Sequence, residues 1–134
     1  MKNVRPYLFL CLLTTIFFIF SETVCANVFY IDANIGSDDN SGTEANPWKT
    51  IDKANLTLGP GDMVYIKAGV YSSETIAPVH SGEPGKNITY KNARGNKVIV
   101  RDATRLIDLS NKNYIVIDGI CFEKANSDKH CCCT

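Results

Sequence analysis

The chain has 134 residues, with 14 Lys and Arg against 14 Asp and Glu, so its formal net charge is zero. That length holds one small domain. The even charge, and the lack of a basic run interleaved with aromatics, exclude a nucleic-acid partner and an electrostatically held anionic membrane.

The first segment reads as a leader. Lys2 and Arg5 make a basic start, Tyr7 to Phe20 is apolar and uncharged, and Val24-Cys25-Ala26 offers a cleavage site. Residues 1–26 are therefore expected to be a signal peptide, with Asn27 as the mature start. The alternative is an uncleaved anchor, but the apolar run is shorter than the roughly 20 residues a span needs. Ser21-Glu22-Thr23 also ends it. The expected location is secreted or cell surface, with no stable membrane span after cleavage. Losing Lys2, Arg5 and Glu22 leaves one acidic charge in excess.

Asn27 to Asp32 alternates and carries Val28, Phe29, Tyr30 and Ile31, which predicts a strand. A polar loop follows, with Gly36, Asp38, Asp39, Asn40 and Gly42. Its Asp, Ser and Asn side chains suit local turns. Asp38 and Asp39 could instead feed a calcium ion, but no acidic residue sits twelve positions along, so the loop is not an EF-hand. Asn46-Pro47 then predicts a helix start, because Asn caps and Pro fits the first helical position. Trp48, Ile51 and Leu58, with Ala54 or Asn55 between, form its apolar stripe. Trp48 is expected in the core; a sugar-stacking platform is the alternative. Gly59-Pro60-Gly61 ends the helix, and Asp62 leads into the next strand.

Further strands are predicted over Met63–Lys67, Thr75–Val79, Ile88–Lys91, Val98–Val100, Leu106–Leu109, Tyr114–Asp118 and Ile120–Glu123, with Gly119 bending the last two apart. Gly69-Val70-Tyr71 closes the organising stretch. The strands are short, no helical pattern recurs after Leu58, and similar strands reappear at spacings that stacked coils leave. A two-sheet sandwich also uses short strands. It would favour Asn-Gly or Asp-Gly hairpins, whereas Asp118-Gly119 lies between two abutting apolar runs, as a corner would.

Cys121, Cys131, Cys132 and Cys133 remain after the leader. With His130 they could supply metal ligands, but three adjacent cysteines lack zinc-type spacing. Residues 129–134 are expected to be an artificial or truncated end.

Several motifs in order carry a resemblance. They are Gly36-Ser37-Asp38 to Gly42-Thr43, Asn46-Pro47-Trp48, Pro60-Gly61-Asp62 to Gly69-Val70-Tyr71, Ser81-Gly82 to Lys91, and Asn113 to Phe122. Together they resemble the amino-terminal cap of secreted right-handed parallel β-helix proteins, of the pectate-lyase-like kind typified by polysaccharide lyase family nine. The structural cap residues under this resemblance are Gly36, Asp38, Gly42, Pro47, Trp48, Gly61 and Asp62. The implied fold is all-β: a cap helix and the first coils of a right-handed parallel β-helix over residues 27–128. The implied function is the amino-terminal fragment of a protein that acts on or binds polysaccharide, as a uronan or pectate lyase does. The alternative is a non-catalytic surface or adhesion-type protein. In the lyases, calcium and a lysine base carry the elimination from residues on later coils. Calcium is thus implied for a full-length protein, and no catalytic residue is assigned here. Asp102, Asp108, Asp118 and Lys112 read as solvated turn residues.

Asn55-Leu56-Thr57 and Asn87-Ile88-Thr89 both fit the glycosylation pattern, so Asn55 and Asn87 are the two sequon positions.

Overall fold

The computed structural model describes residues 25–123. The leader run before Cys25 and the cysteine-rich tail after Glu123 lie outside the described residues, as do the expectations placed on them.

Seven strands and one helix make up the described chain. The order is β1 (Val28–Ile31), α1 (Ile51–Thr57), β2 (Met63–Ile66), β3 (Gly69–Ser72), β4 (Ile88–Asn92), β5 (Val98–Arg101), β6 (Ile115–Asp118) and β7 (Ile120–Glu123). They form two sheets, ordered β1-β2-β4-β6 and β3-β5-β7. Every pairing is parallel. From β2 onward the chain alternates between the sheets, so each pass lays one strand on each. Parallel neighbours need long crossovers, so no tight hairpin joins paired strands here.

The register stacks like on like. Val64 pairs with Tyr90, and Tyr90 with Ile117. In the other sheet Tyr71 pairs with Val100, and Val100 with Phe122. These columns point inward. Because side chains alternate along a strand, the neighbouring columns point out. The core holds Ile31, Val64, Ile66, Ile88 and Tyr90 from the first sheet, and Tyr71, Val98, Val100 and Ile120 from the second. Ile51, Ala54 and Leu58 join them from the helical segment.

Three expectations are corrected. The helix begins at Ile51, not at Asn46-Pro47: Thr50 is its N-cap and accepts from the Lys53 N–H at 3.2 Å. Tertiary pairing overrides the local signal. Trp48 N–H donates to the Tyr30 carbonyl and Trp48 carbonyl accepts from Asp32 N–H, so Trp48 lies extended beside β1. The strands expected over Thr75–Val79 and Leu106–Leu109 reduce to one parallel bridge, Ile76 to Ile107. Finally, Gly69–Ser72 is a strand of its own, turned onto the second sheet after Lys67 and Ala68.

The loop from Gly36 to Trp48 covers the outer edge of β1. Tyr30 N–H donates to the Gly42 carbonyl, and Tyr30 carbonyl and Asp32 N–H both bond Trp48. An edge strand otherwise exposes such groups as a template for pairing.

Candidate functional site

The outer face of the first sheet carries a column of rungs. Tyr30 pairs with Tyr65, Tyr65 with Lys91, and Lys91 with Asp118. The two tyrosine rings lie 5.5 Å apart at 31°. Lys91 and Asp118 close an ion pair at 2.6 Å, and that hydrogen bond holds the ammonium pKa above the usual lysine value.

Beside the tyrosines, where the chain leaves the first sheet for the second, lies a groove of about 300 Å³. Tyr30, Tyr65, Glu44, Lys67, Arg94 and Asn96 line it. Three separate passes of the chain supply them. The Lys67 ammonium sits 3.7 Å from the Asp32 carboxylate and donates to the Glu44 carbonyl at 3.4 Å. Arg94 rides on the turn that closes with Asn96 N–H donating to Ala93 carbonyl. Its φ is 43°, in the left-handed region that costs a non-glycine residue energy. Aromatic faces next to hydroxyl, amide and charged groups are what an amphipathic ligand needs, since one side of it is apolar and its rim hydrogen-bonds.

The sequence-derived cap residues do structural work nearby. Gly36 donates its N–H to Asp32 carbonyl, and a Cβ there would run into the Trp48 backbone. Pro47 carbonyl accepts from Ser37 N–H and the Asn40 amide. Asp62 is buried: one carboxylate oxygen accepts from the Asn27 backbone and side chain, the other from Gly59 N–H. Gly61, at φ 89°, donates to the Lys86 carbonyl.

Asp38 is committed to the chain. One oxygen accepts from the N–H groups of Lys49 and Thr50, the other from the Thr50 hydroxyl. Among the described residues no group of three or more His, Cys, Asp or Glu converges as a metal site would require. The calcium that the resemblance implies belongs to later coils, so no step is derived through it here. Asp118, Asp108 and Asp102 are each paired with a cation, and the Lys112 ammonium donates to the Val79 carbonyl at 2.6 Å.

Asn55, one of the two sequon positions, is buried. Its side chain is 4% exposed. The amide nitrogen donates to Asp52 and to the Thr75 carbonyl, and the oxygen accepts from Ala77 N–H and the Tyr90 hydroxyl. A glycan has neither room nor a free nitrogen there. Asn87 is exposed at the entry to β4.

Two carboxylates clasp the start of α1 with opposite titration. Burial works to raise the Asp38 pKa, but the bonds from Thr50 and Lys49 and the charge of Lys53 outweigh it, so the pKa is lowered. Burial raises the pKa of Glu74, whose oxygen accepts from Ile51 and Asp52 N–H, and nearby Asp52 and Asp38 add to the rise. By linkage, the Asp38 contribution is full above its unfolded pKa of about 3.9 and is lost as pH falls through the lower folded value. The Glu74 contribution has the opposite sign: it is full below the unfolded pKa of about 4.3 and is lost as pH rises through the folded value. Asp38→Asn should therefore flatten the fall in urea midpoint below pH 4 and lower the midpoint at pH 7. A variant as acid-sensitive as the parent would assign that fall elsewhere.

Sequence reading singled out the loop over β1 but not the groove. Tyr30 and Tyr65 carried a signal, as outward positions of alternating strands. Arg94 and Asn96 carried none beyond a turn.

Comparisons with known proteins agree with this architecture. Residues 34–80 match DUF1565, a family of unknown function associated with parallel β-helix proteins. The chain is 32% identical over 108 residues to the uncharacterized protein YwoF of Bacillus subtilis (strain 168), covering 75% of this chain and 23% of that protein. It thus spans about a quarter of the length of the curated relative it matches. The structure of XylC in complex with xylose is 35% identical with a TM-score of 0.52, over 55% of this chain and 11% of that one. The lacto-N-biosidase of Eubacterium ramulus, from glycoside hydrolase family 136, is 18% identical with a TM-score of 0.57, over 77% and 21%. Over these spans the chain shares its fold with parts of both solved structures.

Proposed function

We propose that the chain is the amino-terminal part of an exported right-handed parallel β-helix protein that binds polysaccharide through the tyrosine groove. The observation that carries this reading is the Tyr30–Tyr65 pair, held in register on adjacent parallel strands and bordered by Glu44, Lys67, Arg94 and Asn96. Aromatic rings give a sugar's C–H face an apolar seat, and the polar rim satisfies its hydroxyls. The similarity to the XylC structure, solved with xylose, supports a carbohydrate ligand. The alternation of strands between two parallel sheets supports the β-helix. In this reading the segment binds, and Asp102, Asp108 and Asp118, each held in an ion pair, are given no catalytic role.

Affinity electrophoresis of the full chain in gels containing xylan, galactan or pectate tests this. The parent should be retarded by at least one polysaccharide. Tyr65→Ala should weaken that retention about tenfold, or roughly 1.4 kcal/mol, with an unchanged melting curve. Equal mobility of parent and variant in every gel would refute the groove as the site.

A further inference from the structure

A second depression lies at the opposite end of the second sheet. It has a volume of about 530 Å³ and is lined by Ser73, Thr75, Asp102, Thr104, Arg105 and Asp108. The topology fixes its relation to the tyrosine groove. Lys67 lies just ahead of β3 and Ser73 directly follows it; Asn96 lies just ahead of β5 and Asp102 directly follows it. The two depressions therefore flank the same pair of strands. Four residues of strand separate them, about 13 Å. Between them, on the outer face of this sheet, Val70 pairs with Ile99. Val70 is 43% exposed.

Backbone strain marks both ends. Among the described residues five non-glycine residues have positive φ, and three of these line the two depressions: Arg94 at 43°, Ser73 at 62° and Asp102 at 61°. Such conformations are strained for residues with a side chain and gather at ligand sites. Ser73 N–H donates to the Arg101 carbonyl, so the corners of two successive passes stack and set Ser73 beside Asp102.

The chemistry of the second depression narrows the ligand. Arg105 is paired with Asp108 at 2.6 Å, and Arg101 with Asp102 at 3.1 Å. Hydrogen bonds from Ser110 and Arg105 hold the Asp108 carboxyl ionised, with a pKa of about 2. An anionic sugar would meet carboxylates there and cations already neutralised. Paired donors and acceptors beside Ser and Thr hydroxyls suit uncharged hydroxyl groups.

We infer that the second depression is a further subsite, and that an uncharged oligosaccharide crosses the second sheet along its strands, from the tyrosine groove over Val70 and Ile99 to Asp102 and Thr104. This rests on the carbohydrate reading above and adds a direction, a minimum ligand length and a charge class. A single sugar fills one end only, so affinity should rise with chain length once both ends are reached.

Calorimetric titration of the full chain with xylose, xylobiose and xylohexaose, and with a galacturonate hexamer, tests it. The xylohexaose is expected to bind at least tenfold tighter than xylobiose. Asp102→Asn with Thr104→Ala, and separately Val70→Lys, should reduce the hexamer's affinity to that of the dimer while leaving the dimer's unchanged. Melting curves separate lost contact from lost fold; should Val70→Lys not fold, Thr104→Ala, at an exposed position, decides alone. Equal affinity for dimer and hexamer overturns the inference, as does a length gain that survives the variants. Tighter binding of the galacturonate hexamer overturns the charge class. Failure of all four ligands to bind overturns the inference, and the carbohydrate reading falls with it when the chain also runs unretarded in the xylan, galactan and pectate gels.

Discussion

Trp48→Ala is expected to destabilise the protein by about 3–5 kcal/mol and to lower its melting temperature by more than about 10 °C. Trp48 is 3% exposed and stacks on Phe29 with ring centroids 4.5 Å apart and planes 21° apart. Its indole N–H donates to the Asn40 carbonyl at 3.0 Å. Removing the ring leaves a cavity and strands that carbonyl. The ring also fixes the loop above it: Gly42 sits at φ 81° over the indole, and a Cβ there would fall 2.5 Å from a ring carbon. The loop in turn closes the β1 edge, so three effects of one side chain add. Thermal denaturation followed by circular dichroism measures the drop. A melting point within a few degrees of the parent would mean that the loop holds without its tryptophan.

How far the sequence revealed this region depends on the range of the interactions. Alternation in Met63–Ile66 and the stripe Ile51, Ala54, Leu58 are local, and the strand and helix appear where those patterns stand. Asn46-Pro47 misled because the next residue, Trp48, is bonded to Tyr30 and Asp32 and held extended, a pairing that no local propensity encodes. The split between β2 and β3 was hidden for a similar reason. Gly69-Val70-Tyr71 follows the predicted strand Met63–Lys67 too closely to read as a strand of its own, and the bend at Lys67-Ala68 is set by which sheet each half joins. The groove was least legible. Its residues come from three passes, and only the register brings Tyr30 to Tyr65 and both to Arg94.

Asn55→Ala is the second large effect, expected to cost about 3–5 kcal/mol. The amide is the buried link between α1, the segment after β3, and β4. Its removal orphans the Tyr90 hydroxyl, the Ala77 N–H and the Thr75 carbonyl inside the core. Tyr90 is 0% exposed, and that burial holds its pKa above the usual tyrosine value. Tyr90→Phe alone should cost about 1 kcal/mol, as one hydrogen bond does. The double variant should cost less than the sum, because the two groups share one bond. Urea unfolding of the four proteins closes the cycle. Strict additivity would show that the bond contributes nothing. Expression in a glycosylating host gives an independent check: peptide mapping should find Asn55 unmodified.

The closed edge of β1 also sets an order in time. Bonding Tyr30 to Gly42 and Trp48 closes short loops, whereas each later rung must close a full crossover before its strand finds a partner. The entropy of closure grows with loop length, and pairings distant in sequence form slowly. The amino-terminal segment is therefore the natural nucleus, and β2, β4 and β6 add to it one after another in the order in which a chain emerging amino-terminus first would present them. Folding becomes templated growth from one end, with each new strand recruited by the one laid down before it.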